Sequence, residues 1–238
     1  MAHPADSSKR LAAEGLGTAL LLAAIVGSGI MADRLAGGQP AVTLLANSLA
    51  TGATLAVLIL VFGPVSGAHL NPAVTVADAW QGGMSWRLVP GYLGAQFAGA
   101  IAGVILAHLM FGEPALQIGQ QARSGAPLVL AEFVATFGLL AVIWGCVRQR
   151  AEAVPFAVGL YIVGAFWFTS STSFANPAVT VARALTDTFT GLRPADVPAF
   201  VLAQFAGAVA ATAVFRWLIP GLPASAADVV VPHASEGP

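Results

Sequence analysis

One heptapeptide occurs twice in the sequence, and its residue types suit the binding of a small polar molecule. The letters NPAVTVA occupy positions 71–77 and again 176–182, which lie 105 positions further along the chain. Proline is favoured at the first position of a helix, where its missing N–H costs nothing. The preceding asparagine can cap that helix with its side-chain oxygen, which leaves the amide NH₂ to donate elsewhere. We therefore predict two short helices whose starts present paired amide donors, from Asn71 and Asn176, to one cavity.

The predicted helix starts also determine which molecules the cavity accepts. The N-terminus of a helix carries a partial positive charge, so two of them facing each other repel cations and orient a neutral hydroxylated solute. Ordinary helix capping would explain either copy alone, but it leaves their pairing unexplained. The pattern predicts a site for neutral solutes.

Composition and charge exclude several other functions. The 238 residues include ten Lys and Arg against eleven Asp and Glu, a net charge of −1 that gives no basic field for nucleic acid. The single cysteine excludes an intrachain disulfide and a thiolate metal cluster. Neither copy of the repeated piece contains a metal-ligand cluster or a nucleophile and base. We expect no enzymatic activity, no cofactor, no metal and no nucleic-acid partner.

The same composition indicates a membrane protein. Hydrophobic residues make up 57% of the chain and charged residues 9%, about a third of the charge density of a soluble domain. The stretch 153–182 has no charged residue, but a Ser/Thr run and then Asn-Pro break it, which predicts a span followed by a re-entrant half-helix. A matching half-helix, from 71 to about 80, follows the second span. Five further stretches are long and apolar enough to cross a membrane: 11–32, 41–62, 88–112, 128–147 and 197–215.

The chain is a duplicated unit. The letters AQFAGA occur at 95–100 and 203–208, and Glu14 and Glu132 each stand near the start of the first span of a half. Each unit holds three spans, an odd number, so the second unit enters the membrane from the opposite side. Glycines at 99, 103 and 207 predict close helix contacts. The sequence thus predicts an all-α membrane protein, an inverted repeat of six transmembrane helices plus two re-entrant half-helices.

This architecture gives one domain with two short tails. We expect a channel-like domain over 11–222, with repeats at about 11–117 and 128–219, an N-terminal tail over 1–10 and a flexible C-terminal tail over 223–238. Six basic residues fall on one side and three on the other, which places both termini in the cytoplasm and the protein in the lipid of the cell membrane. The six are Lys9, Arg10, Arg87, Arg148, Arg150 and Arg216, and the three are Arg34, Arg123 and Arg193.

Over about 11–218 the sequence resembles the aquaporin and glycerol-facilitator family, the major intrinsic proteins. The resemblance rests on the two NPA motifs, on SGAHLNPAVTV at 66–76, on Glu14 and Glu132, and on the duplicated halves. It implies a passive channel for small neutral solutes and a homotetramer with one pore per protomer. It also implies that Glu14 and Glu132 accept hydrogen bonds from the re-entrant loops.

The resemblance assigns pore roles to named residues. The central constriction would be formed by Asn71, Pro72, Ala73, Asn176, Pro177 and Ala178. A ladder of carbonyl acceptors would be formed by Gly67, Ala68, His69, Ser173, Phe174 and Ala175. The His69 side chain has two interpretations, a vestibule ligand or a hydrogen-bonded loop anchor, and we favour the anchor.

The selectivity filter departs from the family pattern. Most members carry Arg three residues after the second Asn, where this chain has Val179. Thr51 and Ser173 fill two further filter positions, and Gly164 fills the fourth, or Phe166 if the register shifts. Arg183 either supplies a displaced charge at the outer mouth or pairs with Asp187 four residues on, which we favour. Asp78, at the same distance from Asn71, is expected at the other end of the pore.

Small filter residues and a missing charge predict a pore wider than a strict water channel. The letters NPAVTVARALTDTFTG at 176–191 resemble a bacterial subgroup linked to arsenic resistance. Arsenous acid is neutral at pH 7 and presents three hydroxyls, so it and glycerol-like polyols are the expected solutes, with water. An orthodox water channel is the alternative within the family. A secondary transporter is the alternative from another class, but the predicted site lacks the ionisable group that coupled transport needs.

Overall fold

The computed structural model describes residues 7–219, and of residues 148 and 149 only the backbone. The predicted C-terminal tail and the first six residues lie outside this range. Within it, six long helices are apolar enough to span a membrane. They are α1 (Ser7–Leu35), α2 (Pro40–Ser66), α4 (Val89–Phe111), α5 (Ala126–Gln149), α6 (Val154–Phe168) and α8 (Val197–Leu218).

Two short helices complete the fold, α3 (Pro72–Gln81) and α7 (Pro177–Arg183). Each begins at the proline of an NPA motif, as the sequence predicts. Single 3₁₀ turns at Ala151–Ala153 and Pro194–Asp196 precede α6 and α8. The all-α architecture of six spans and two half-helices is therefore confirmed.

The two halves have the same internal packing. In the first half α1 packs against α2 and α4, and in the second α5 packs against α6 and α8. The halves meet where α2 crosses α6, with Gly52 against the backbone of Gly159. The half-helices α3 and α7 lie between them and contact each other.

Small residues allow the closest of these contacts, as predicted. A Cβ atom at Gly99 would overlap the carbonyl oxygen of Gly15, and one at Gly207 would overlap that of Phe133. Gly103 meets the carbonyl oxygen of Ala19 in the same way. These contacts bring the α1 and α4 backbones together, and likewise α5 and α8, because no side chain separates them.

The outer surface of the helices is apolar. Large side chains such as Leu160, Leu202 and Trp217 are more than two thirds exposed, whereas both spanning-helix glutamates are fully buried. Such a surface is unfavourable in water and suits contact with lipid. Together with six spanning-length helices, it defines a multi-pass membrane protein.

Candidate functional site: a pore between the two halves

The two NPA asparagines cap the half-helices, as the sequence predicts. The Oδ1 atom of Asn71 accepts from the backbone N–H of Ala73 at 2.9 Å. The Oδ1 atom of Asn176 accepts from the backbone N–H of Ala178, also at 2.9 Å. Pro72, Ala73, Pro177 and Ala178 are buried behind the asparagines in the first turns of the helices.

The amide nitrogens of the same asparagines bind the opposite half. Asn71 Nδ2 donates to the carbonyl oxygen of Ala175, and Asn176 Nδ2 donates to that of Leu70, each at 2.8 Å. An amide nitrogen has two hydrogens, so each side chain keeps one N–H beyond this exchange. Both asparagines line the cavity. The site thus presents two fixed donors at the junction of the helix starts.

Glu14 holds the first re-entrant loop from inside the protein. Its carboxylate accepts from the backbone N–H groups of His69 and Leu70 at 2.9 and 2.7 Å. It also accepts from Ser66 Oγ at 2.7 Å and Gln96 Nε2 at 2.8 Å. These four donors satisfy a charge that would otherwise be costly to bury.

Glu132 holds the second loop in the same way. It accepts from the backbone N–H groups of Phe174 and Ala175, both at 2.9 Å, and from Gln204 Nε2 at 2.6 Å. The two carboxylates thus occupy equivalent places in the inverted halves.

Sequence reasoning missed Gln96 and Gln204 as parts of the site. Gln96 Nε2 bridges Glu14 and the Thr75 hydroxyl, and Gln204 Nε2 bridges Glu132 and the Thr180 hydroxyl. The signal was the glutamine of the repeated AQFAGA. Those letters mark the duplication and supply the close-contact glycines, but a buried glutamine at matching places also indicates a shared polar partner.

Both loops contain left-handed backbone at matching residues. Ala68 and Leu70 have φ of 47° and 50°, and Ser173 and Ala175 have 51° and 49°. Thr172, a β-branched residue at φ 63°, stands where the first loop has Gly67. Such conformations cost about 1–3 kcal/mol each in residues with a side chain. The carboxylates and the exchanged asparagine bonds offset this cost.

One cavity runs past both NPA motifs. The ladder residues Gly67, Ala68, His69, Phe174 and Ala175 line it, as do Thr51, Ser173 and Val179. Asp78 and Arg183 also line it, and each stands seven residues beyond its asparagine, near the C-terminus of its half-helix. Since α3 and α7 start next to each other, these ends point apart. We call the corresponding ends of the cavity the Asp78 mouth and the Arg183 mouth.

The fourth predicted filter position needs a correction. Gly164 lies on the exposed outer side of α6, whereas Phe166 is buried and lines the cavity. Val158, Ile162 and Phe166 line it at intervals of four, the spacing of one helix face. Gly164 falls between two of these residues and therefore faces away, so the register that uses Gly164 is wrong.

Two of the residues predicted to form the filter carry hydroxyls that have no hydrogen-bond partner among the described residues. Thr51 Oγ1 and Ser173 Oγ are buried and make no hydrogen bond to any described residue, although both side chains line the cavity. Val179 also lines the cavity, is 3% exposed and carries only methyl groups. Each hydroxyl can both donate and accept a hydrogen bond.

Arg183 faces the cavity and makes no ion pair with Asp187. Its Nε donates to the carbonyl oxygen of Thr190, and its guanidinium carbon lies 3.4 Å from the ring centroid of Phe174. Asp187 accepts instead from the backbone N–H of Gln120. The predicted i, i+4 pair is wrong because α7 ends at Arg183, so Asp187 is not one helical turn further on.

A second arginine supports the loops at the Arg183 mouth. Arg123 Nε donates to the Gly191 carbonyl oxygen at 3.0 Å, and its backbone N–H donates to Asp196 at 2.8 Å. Burial lowers the pKa of the Arg123 guanidinium, while the charge of Glu132 acts in the opposite direction. Arginine nevertheless keeps its proton in proteins, so two cations lie near this mouth.

The His69 ring is tied to the half-helix that follows it. Nδ1 lies 3.1 Å from the hydroxyl of Thr75, and the ring packs against Tyr92 with centroids 5.5 Å apart. This contact has the geometry of the loop anchor that we favoured. The same ring also lines the cavity, with Nε2 directed at Asp78 over 3.6 Å.

The fold and this site together define a membrane channel whose pore lies between two inverted halves. A sequence model of the family described as Major intrinsic protein matches residues 1–170 and 146–237. The chain is 54% identical over 214 residues to Aquaglyceroporin AqpS of Rhizobium meliloti (strain 1021), covering 90% of this chain and 91% of that protein.

Two further comparisons agree with this class. The chain is 38% identical over 128 residues to the Glycerol uptake facilitator protein of Streptococcus pneumoniae, covering 48% of this chain and 54% of that one. Its fold matches the X-ray structure of the aquaglyceroporin from Plasmodium falciparum with a TM-score of 0.72 and 21% identity, over 91% and 99% of the two chains. The protein belongs to the major intrinsic protein family.

Glu14→Gln is expected to destabilise the protein by roughly 2–3 kcal/mol, because the amide loses one acceptor and turns an NH₂ toward backbone donors. The apparent melting temperature in detergent should fall by roughly 5–10 °C. Glu152→Gln, at an exposed glutamate of the 3₁₀ turn before α6, is the matched control and should leave it unchanged. Equal melting temperatures for both variants would show that the carboxylate does not hold the loop.

Proposed function

We propose that this protein is a passive channel for glycerol, other small polyols and arsenous acid, and that it also conducts water. The observation that carries the proposal is the filter. Val179 stands where most family members carry a fixed cation. Thr51 and Ser173 line the same cavity, and their hydroxyls have no partner among the described residues. Hydroxyl solutes can exchange hydrogen bonds with these groups, while the apolar faces of Phe166 and Val179 contact their carbon atoms.

The asparagines provide the next step of the path. Each has an N–H beyond the one donated to the opposite loop, and the aligned starts of α3 and α7 add partial positive charge. A neutral solute oxygen is accepted there, and a cation is repelled. Two relatives are named as an aquaglyceroporin and a glycerol uptake facilitator, which favours polyols over water alone as the solutes of this channel.

The membrane orientation follows from the basic residues. One side of the protein holds the Asp78 mouth, the starts of α1 and α4 and the end of α2. Glu14, near the start of α1, binds the loop after α2, and Tyr92, near the start of α4, donates to the carbonyl oxygen of Ser66. From the excess of Lys and Arg on this side we infer that it, with both termini, faces the cytoplasm of a cell whose inner or plasma membrane holds the channel. The family resemblance supports a homotetramer with one pore per protomer.

Arg183 supplies a displaced cation at the outer end of this path. Its guanidinium is buried, lies on the Phe174 ring and has one hydrogen bond to a described residue, through Nε. The remaining guanidinium donors are available to solute oxygens that enter from the Arg183 mouth.

Val179→Arg should restore a filter cation and narrow the pore. In stopped-flow experiments on proteoliposomes, we expect glycerol and arsenous acid permeability to fall about tenfold or more while water permeability stays within about twofold. Val179→Leu is the control, because it adds volume without charge and should reduce glycerol permeability less. Wild-type protein that conducts water but neither solute would contradict the proposed function and favour an orthodox water channel.

Arg183→Gln should lower solute entry through loss of donors at the mouth. We expect the glycerol permeability to fall about threefold, with Arg183→Lys intermediate because it keeps the charge. Arg34→Gln is the control, since Arg34 lies at the end of α1, is half exposed and pairs with Glu113. Unchanged permeability to every neutral solute in Arg183→Gln would exclude the displaced-cation role.

A further inference from the structure

The Asp78 mouth contains an ionisable pair that the proposed path does not use. Asp78 and His69 have side chains that are 1% and 2% exposed, and both line the cavity. His69 Nε2 lies 3.6 Å from Asp78 Oδ2, beyond hydrogen-bond distance. Neither Asp78 oxygen nor His69 Nε2 has a hydrogen-bond partner among the described residues.

The bonds of Thr75 fix which His69 nitrogen carries a proton. The Thr75 hydroxyl donates to the Asn71 carbonyl oxygen and accepts from Gln96 Nε2. Its one hydrogen is thereby used, so its contact with His69 Nδ1 at 3.1 Å requires that Nδ1 be the donor. In a neutral ring Nε2 is then an acceptor that faces a carboxylate.

The second half supports this assignment of hydrogens. Thr180 donates to the Asn176 carbonyl oxygen at 2.8 Å and accepts from Gln204, with no histidine nearby to compete, because Phe174 occupies the place of His69. The threonine hydroxyl therefore makes the same donation in both halves. Only in the first half does a histidine ring nitrogen also contact the threonine hydroxyl.

The His69 Nε2 and Asp78 acceptors are too far apart to share a hydrogen bond, so both are left for hydrogen-bond donors in the cavity. The C-terminal end of α3 adds partial negative charge there, which further favours hydrogen-bond donors. The other ionisable groups facing the pair are Tyr92, which packs on His69, and Glu14 and Arg10 beyond it.

We propose that His69 and Asp78 form a second solute subsite at the Asp78 mouth, which binds neutral molecules carrying two or more hydroxyls. One solute hydroxyl donates to His69 Nε2, while a neighbouring hydroxyl donates to the Asp78 carboxylate. The subsite replaces hydration that the solute loses on entry. A polyol reaches the two acceptors with hydroxyls on neighbouring carbons, whereas water must direct both hydrogens of one oxygen at atoms 3.6 Å apart, which bends the two hydrogen bonds. This inference rests on the proposed solute channel and adds a specificity element to it.

Asp78→Asn tests the subsite because it preserves shape and removes the charge. We expect the glycerol permeability of proteoliposomes to fall about threefold or more, with water permeability within about twofold of wild type. His69→Phe, which copies the residue at the matching place in the second half, should give the same selective loss. The double variant should lose no more than the stronger single variant, because the two side chains act as one unit.

Asp33→Asn is the matched control. Asp33 is exposed near the C-terminus of α1, away from the Asp78 mouth, so this variant should retain the wild-type ratio of glycerol to water permeability. Three results would each overturn the subsite. They are an unchanged ratio of glycerol to water permeability in Asp78→Asn, permeability losses that multiply in the double variant, and equal losses of water and glycerol permeability. If Asp78→Asn does not fold, His69→Phe carries the test by the same ratio. Wild-type protein that fails to conduct glycerol would instead refute the proposed function.

Discussion

The exchange of hydrogen bonds between the two NPA asparagines is the interaction on which the pore depends. Each side chain caps its own half-helix with oxygen and holds the opposite loop with nitrogen. The loops can remain in left-handed conformations at membrane depth because Glu14 and Glu132 satisfy their N–H groups from behind. Two amide donors are thereby fixed where the starts of α3 and α7 meet.

The same inverted framework carries opposite charges at its two ends. Asp78 and Arg183 occupy matching positions of α3 and α7, and their ring neighbours, His69 and Phe174, also match. The histidine adds a second polar atom beside the acid, and the phenylalanine suits the arginine because its ring face attracts a cation. The duplicated halves thus give the path its geometry. The differences at these two pairs of positions give its two ends different chemistry.

Much of this arrangement could be predicted from repetition in the sequence. The motif pairs predict the half-helices, the inversion and the capping, since each depends on local chemistry. The orientation of Phe166 could not be derived from the sequence. The helix α6 is uniformly apolar, and the Ser/Thr run that follows it obscures which of its residues face the pore. The contacts of Arg183 also depend on tertiary structure, because α7 ends too early for a pair along the helix. The sequence predicts no ionisable group at the asparagines and places Asp78 toward one end of the pore, and His69, Asp78 and Arg183 line the cavity away from the asparagines.

These ionisable groups make passive flow the claim to test most directly. Wild-type proteoliposomes can be loaded with glycerol at equal concentration inside and outside, and then given a proton or sodium gradient while internal glycerol is measured. Our account predicts rapid exchange of labelled glycerol, no net accumulation and the same exchange rate with or without the ion gradient. Glycerol accumulation driven by either ion would contradict a passive channel and identify a coupled transporter.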